Sequence, residues 1–171
     1  MRQAVAADFA AVRSFYDALI DDLLQRPHHP LWAKDGHPSD AYLQSAINGG
    51  ELCVAEFAGE VVAAVVVNSA ANDGYNSVPW RVNAGPGEFI IVHAFGVSVR
   101  HQGKGLGSAV MHAIIDSARA AGIKAVRLDL IEHNRPTEKV YFKLGFVKCA
   151  EIKLYYEEVG WQLFHMFELA L

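Results

Sequence analysis

The sequence has only two cysteines, Cys53 and Cys149, each inside an apolar strand-like run and neither in a C-x-x-C pair. That usage speaks against a disulfide framework and fits a reducing compartment. Positive charge is scarce as well. Fifteen Lys and Arg stand against nineteen Asp and Glu, a formal net charge of -4 that leaves no footprint for a phosphate backbone, so no nucleic-acid partner is expected. No stretch nears the ~20 apolar residues of a membrane-spanning helix, and the opening residues lack the long apolar core of a signal peptide. The expectation is a soluble, cytoplasmic protein with no membrane partner. Internal repeats, low-complexity tracts and charge blocks are also missing. What is there is a chain of 171 residues, 52% hydrophobic and 20% charged, with a mean hydropathy of +0.14. Intrinsic disorder is excluded on composition. One domain over residues 1–171 fits that length, and a domain of this size buries roughly 70% of its unfolded surface without help from a disulfide or structural metal.

Helix and strand signals alternate along the chain. Asp8 is placed to cap a helix in which Val12, Phe15, Tyr16, Leu19, Ile20, Leu23 and Leu24 recur at helical spacing until Pro27 and Pro30. Ser39 caps a short helix through Asn48, closed by Gly49 and Gly50. Residues 52–57 and 61–67 read as a hairpin, the second strand apolar throughout and so buried on both faces. The stretch 68–87 is long for a plain connection and carries Tyr75 and Trp80, which marks it as functional or mobile. A strand over 88–99 then runs into a glycine-rich turn and a helix with Leu106, Ala109, Val110, Ala113, Ile114 and Ala121 as its buried stripe. A strand over 124–131, a helix opened by Pro136 and closed by Gly145, and two strands near 146–156 and 161–169 follow, paired around residues 157–160. That order predicts a mixed α/β sheet with helices on both faces.

The turn Gln102-Gly103-Lys104-Gly105-Leu106-Gly107 opens an amphipathic helix, where unpaired N–H groups and the positive end of the helix dipole favour an anion. Glycine admits positive φ and lets phosphate oxygens approach the backbone. The spacing does not fit a P-loop, which reads G-x-x-x-x-G-K-[ST], and a dinucleotide fingerprint would read G-x-G-x-x-G near the start of the chain.

Residues 97–107, with Gln102, Gly105 and Gly107 at the fixed positions, resemble the acyl-CoA signature of the GNAT-type N-acetyltransferase superfamily, which reads Arg or Gln, two residues, Gly, one residue, Gly. Asn134, Tyr141, Gly145 and Phe146 are similar to its second signature, and the element order agrees over nearly the whole chain. The resemblance implies a single-domain fold with a mostly antiparallel sheet of six to seven strands and a splayed central pair. It implies acetyl-CoA as co-substrate, a primary amine on a small molecule or peptide as acceptor, and no metal. It also implies a cofactor set: Gln102, Gly103, Lys104, Gly105, Leu106, Gly107 and Ser108 around the pyrophosphate, Val97 and Val99 on the pantetheine amides, and Asn134 and Tyr141 beyond them. An amide near Val97 would face the thioester carbonyl as an oxyanion donor.

Transfer to an amine needs the neutral form, yet an alkylamine with a pKa near ~10.4 is deprotonated in about one molecule in a few thousand at pH 7. A general base helps, and the departing thiolate needs a proton or a donor. Tyr141 on its spacing alone fits a core aromatic beside Val140 and Leu144; the resemblance places it as general acid. His93 is the candidate base, since imidazole titrates near neutrality, with Asp129 and Glu88 as alternatives and a core or structural role open for each. Eight histidines contain no H-x-x-x-H pair and no cysteine cluster, so no metal site is expected. His28, His29 and His37 fall in the loop between the first two helices, on the acceptor side that the resemblance implies. Trp32, Tyr75 and Trp80 offer aromatic faces for a cationic acceptor. The alternative reading is a catalytically silent acyl-CoA-binding or interaction module, and monomer and homodimer both stay open.

Overall fold

The computed structural model describes residues 1–27, 30–157 and 160–171 and divides the chain into two compact units, Met1–Val67 with His93–Ala113 and Asn68–Val92 with Ile114–Leu171. Among the described residues seven strands form one sheet in the order β1-β2-β3-β4-β5-β7-β6, in agreement with the expected mixed, mostly antiparallel architecture.

The first unit opens with a strand of two residues, β1 (Arg2–Gln3), which pairs antiparallel with β2 (Leu52–Phe57) and carries too little pattern to be expected from sequence. Helix α1 (Phe9–Leu23) follows a 3-10 turn over Ala6–Asp8. Asp8 does not form the expected side-chain cap of α1; it accepts from the Val5 amide at the start of the 3-10 turn and binds Arg2 at 2.7 and 2.9 Å. Ser39 does cap α2 (Asp40–Asn48), accepting from Tyr42 N at 3.2 Å. β2 and β3 (Glu60–Asn68) form the expected hairpin, and its two turn residues, Ala58 and Gly59, both take positive φ, the geometry that matches strand twist. Val12, Phe15, Tyr16 and Leu19 of α1 pack with Leu43, Ala46 and Ile47 of α2 and with Leu52, Val54, Ala64 and Val66 of the hairpin. β4 (Phe89–Val97) enters this unit at His93. On it Gly96 lets α1 approach: a Cβ there would lie 2.6 Å from Leu19 and 3.3 Å from Phe15.

In the second unit β4 runs parallel to β5 (Ala125–Ile131) from Phe89↔Ala125 to Ile91↔Arg127. β5 pairs antiparallel with β7 (Gly160–Ala170) along its whole length, and β6 (Val147–Tyr156) flanks β7. Asn134 caps α4 (Arg135–Lys143) by accepting from Thr137 N at 3.4 Å. Tyr75, Val78, Ile91, Leu154 and Met166 form one core cluster here.

Helix α3 (Leu106–Ala120) belongs to both units, and its buried stripe is Val110, Met111, Ile114, Ile115 and Ala118. Ala109, Ala113 and Ala121 are exposed, which corrects the expected face. Alanine fits either side of a helix, so the bulkier Met111 and Ile115 decide the phase. Two expectations, the acceptor-side place of His28 and His29 and the tip of the last hairpin at Glu158 and Val159, lie outside the described residues.

Candidate active site

The candidate residues of the first unit sit at the end of β4 and the start of α3. Within β4, Ala94 takes a φ of 47°, a conformation that costs a non-glycine residue about 1–2 kcal/mol, and Tyr16 Oη donates to its carbonyl at 2.6 Å. Such a kink re-aims the residues beside it. One neighbour is His93, half-buried on the same strand. After Val97 a 3-10 turn (Val99–His101) leads into the glycine turn. Gly103 and Gly105 have φ of 73° and 83°, and a Cβ on either would meet nothing within 4 Å. Glycine is therefore set by the left-handed backbone there, not by crowding. At Gly107 the nearest atom to a Cβ is Val97 Cγ2 at 3.6 Å, ordinary contact, so nothing in the chain itself demands glycine at that position. Ala109 N donates to Gly105 O at 2.9 Å, and the amides of Leu106, Gly107 and Ser108 precede the first acceptor inside α3. A row of donors with open space before it fits a diphosphate.

Gln102 does more than its motif position indicates. Its Nε2 donates to Val97 O at 2.8 Å while Arg26 Nη1 donates to its Oε1 at 2.8 Å. The expected role of the Val97 carbonyl is thus shared with a side chain, with one lone pair left over. Arg26 had no sequence signal, being a lone cation after α1.

Asp129, Asn134 and Tyr141 belong to the second unit. Tyr141 is 6% exposed, between Phe146 and Phe167 at centroid distances of 5.6 and 5.9 Å. Burial, and then the charge of Asp129, push its phenol well above the ordinary range, so it stays protonated across any physiological pH. Asp129 accepts from Tyr75 Oη at 2.7 Å and Tyr156 Oη at 3.3 Å, both on Oδ2. Glu88 is taken up by Lys124 at 2.5 Å and the Gly85 amide, and these bonds hold its carboxyl below the ordinary value, which leaves it poorly suited as a base. Asn134 is 8% exposed and serves as the α4 cap.

Sequence reasoning missed the polar groups buried in this unit. Arg127 pairs with Glu168 at 3.0 Å, donates to Val82 O and lies between Trp80 and Phe89, with its guanidinium carbon 4.5 and 4.3 Å from the ring centroids. Glu168 also accepts from the amides of Arg81 and Val82. Trp80 thus spends a face on the protein's own cation, and Trp32 packs edge-on against Tyr16 and His37 in the first unit. For Trp80 that differs from the expected role as a face for a ligand. His165, 2% exposed, lies 2.8 Å from Glu138 Oε1. Burial raises the Glu138 carboxyl, but bonds to Arg135 and His165 outweigh that and hold it below the ordinary value. Among the described residues no group of His, Cys, Asp and Glu is arranged to hold a metal, and no helix is long and apolar enough to cross a membrane.

Residues 13–146 match the model of the acetyltransferase (GNAT) family. A search of the curated proteins finds no match. Among solved structures, a GNAT-family acetyltransferase of Streptococcus agalactiae superposes with a TM-score of 0.82 at 16% identity, covering 99% of this chain and 94% of that one. The ribosomal-protein-alanine N-acetyltransferase of Brucella melitensis gives 0.69 at 19%, covering 99% and 98%. The yncA protein of Salmonella typhimurium, solved with its cofactor acetyl-CoA, gives 0.67 at 21%, covering 99% and 92%. At these identities the likeness is one of fold.

Proposed function

The chain belongs to the acetyltransferase (GNAT) family, and from that premise we propose that it moves an acetyl group from acetyl-CoA to a primary amine by direct attack on the thioester. The observation that carries this reading is the glycine turn ahead of α3, with its left-handed Gly103 and Gly105, its free space and its helix-start amides. The amides of residues 103–108 would hold the pyrophosphate, where the helix dipole adds a partial positive charge and Lys104 a full one. Val97 and Val99 would orient the pantetheine arm through their backbone. Bound acetyl-CoA supplies the acetyl thioester and, on transfer, a thiolate leaving group.

Two protons then have to move. Tyr141 Oη, protonated at neutral pH, passes one to the departing sulfur, and its phenolate regains a proton through solvent from the imidazolium formed at His93. His93 accepts the other from the amine, directly or through a water. The solved relative with acetyl-CoA supports the choice of donor, and the one named as an alanine N-acetyltransferase supports nitrogen as acceptor. The test is release of free thiol from acetyl-CoA over a panel of polyamines, aminoglycosides, amino acids and peptides. Acetyl-CoA binding without turnover on any amine would favour a silent acyl-CoA-binding module.

A further inference from the structure

β5 carries two charged side chains in an otherwise apolar strand, Arg127 and Asp129, two residues apart and so on one face. They are treated in opposite ways. Arg127 faces Glu168 directly across the β5/β7 ladder and is fully engaged by that carboxylate, by Val82 O and by two aromatic rings. Asp129 faces Met166 in the same ladder and pairs with no Lys, Arg or His among the described residues. Its donors are phenols. Tyr75, 3% exposed, comes from the 3-10 turn Asp73–Ser77 and Tyr156 from the end of β6, so the carboxylate is gripped by segments 54 and 27 residues away. Both bonds end on Oδ2. Oδ1 accepts nothing from the described residues, and Asp129 is half-buried. Tyr75 pairs with Trp80 at 5.6 Å and Tyr156 with Phe164 at 5.3 Å, so rings flank the carboxylate.

A half-buried carboxylate whose donors are all neutral leaves its second oxygen for a cation to share. If Asp129 merely tied the turn over 73–77 to the sheet, a neutral acceptor would do. We propose that Asp129 Oδ1 receives the ammonium of the acceptor and selects primary alkylamines over α-amino acids, with Tyr75 and Tyr156 as positioning residues. This rests on the N-acetyltransferase reading above. The discrimination follows from what lies alongside: an α-carboxylate would be brought up against an uncompensated carboxylate, and the neighbouring cation, Arg127, is already spent on Glu168.

The test compares kcat/KM for matched acceptors differing by one carboxylate, 2-phenylethylamine against phenylalanine and pentylamine against norleucine, in wild type, Asp129→Asn and Tyr156→Phe. Asp129→Asn keeps an oxygen for Tyr75 and removes the charge. Wild type should prefer the amines by about 100-fold or more, and Asp129→Asn should bring that ratio below about 10, with KM for acetyl-CoA unchanged. Tyr156→Phe should lower the ratio part of the way through KM for the amine. An unchanged ratio in Asp129→Asn, or amino acids serving as well as amines in wild type, overturns the proposal. If acetyl-CoA binds and no acceptor is turned over, the enzymatic reading fails by itself. The seat is then read from NMR line broadening of pentylammonium and norleucine with CoA-loaded protein. Broadening of pentylammonium that disappears in Asp129→Asn supports the seat, and broadening independent of Asp129 overturns it.

Discussion

Gly105 and Gly122 stand at opposite ends of α3, with φ of 83° and 74° and nothing within 4 Å of where a Cβ would sit. An alanine at either position therefore meets the same penalty, backbone strain alone, worth about 1–2 kcal/mol for an L-residue held in the left-handed region. For a chain of this length that lowers Tm by roughly 2–8 °C, at about 2–4 °C per kcal/mol. The two variants should be matched in stability and differ in cofactor binding. Relieving the strain at Gly105 means rotating peptide groups in the turn proposed to face the pyrophosphate, whereas at Gly122 it disturbs the far end of the helix. Acetyl-CoA at about 100 times its Kd stabilises the native state by about 2.7 kcal/mol, a rise in Tm of roughly 5–11 °C. Gly122→Ala should keep that rise. Gly105→Ala should bind at least about 10-fold more weakly, forfeiting about 1.4 kcal/mol of it. Thermal unfolding over a series of acetyl-CoA concentrations reads both quantities in one experiment. Equal ligand-induced shifts in the two variants would refute the assignment of the turn, and a Gly105→Ala protein as stable as wild type would refute the strain argument itself.

Tyr141→Phe should lower kcat by roughly 10–10³-fold with little change in acetyl-CoA affinity, and unchanged turnover would return Tyr141 to a packing role. Because burial and the charge of Asp129 raise that phenol above its ordinary value of 10.0, the donor form persists as pH rises, so wild-type turnover should not fall through loss of this proton below pH 10. A falling limb near 8 that vanishes in Tyr141→Phe would contradict the assignment. If His93 is the base, turnover at saturating acetyl-CoA should rise with pH, and His93→Ala should flatten that limb; an identical limb would move the role elsewhere. Glu168→Ala strands the Arg127 guanidinium, whose side chain is 5% exposed, and should cost about 3–5 kcal/mol in urea unfolding, whereas replacing both partners with Met should cost much less.

The fold was legible wherever one period dominated. The hairpin over β2 and β3, the cap at Ser39 and the strand–turn–helix around the glycines all rest on contiguous residues, and each stands where the pattern put it. Reading failed where the pattern was degenerate. Two residues of β1 show no alternation, and a helix face written partly in alanine put the expected stripe of α3 on Ala109, Ala113 and Ala121, which are exposed, while Met111 and Ile115 are buried.

The candidate site divides along the same line. Residues 102–108 are local, so composition and spacing sufficed to place a glycine turn at a helix start, whereas the surroundings of Asp129 are joined by contacts 27 and 54 residues long. Tyr75 and Trp80 looked like free aromatic faces because sequence cannot tell whose cation a ring serves. The fold assigns the face of Trp80 to Arg127 and turns the phenol of Tyr75 onto Asp129. One signal was nonetheless present in the chain: Arg127 and Glu168 are opposite charges in two apolar strands that pair antiparallel, and the register that seats one against the other also seats Asp129 against Met166. Charge balance across that ladder closes for the first pair and not for the second. The carboxylate left over is the place on β5 where a cation from outside would be most strongly favoured, and for that reason the acceptor's chemistry is best sought at Asp129, before the loops that surround it.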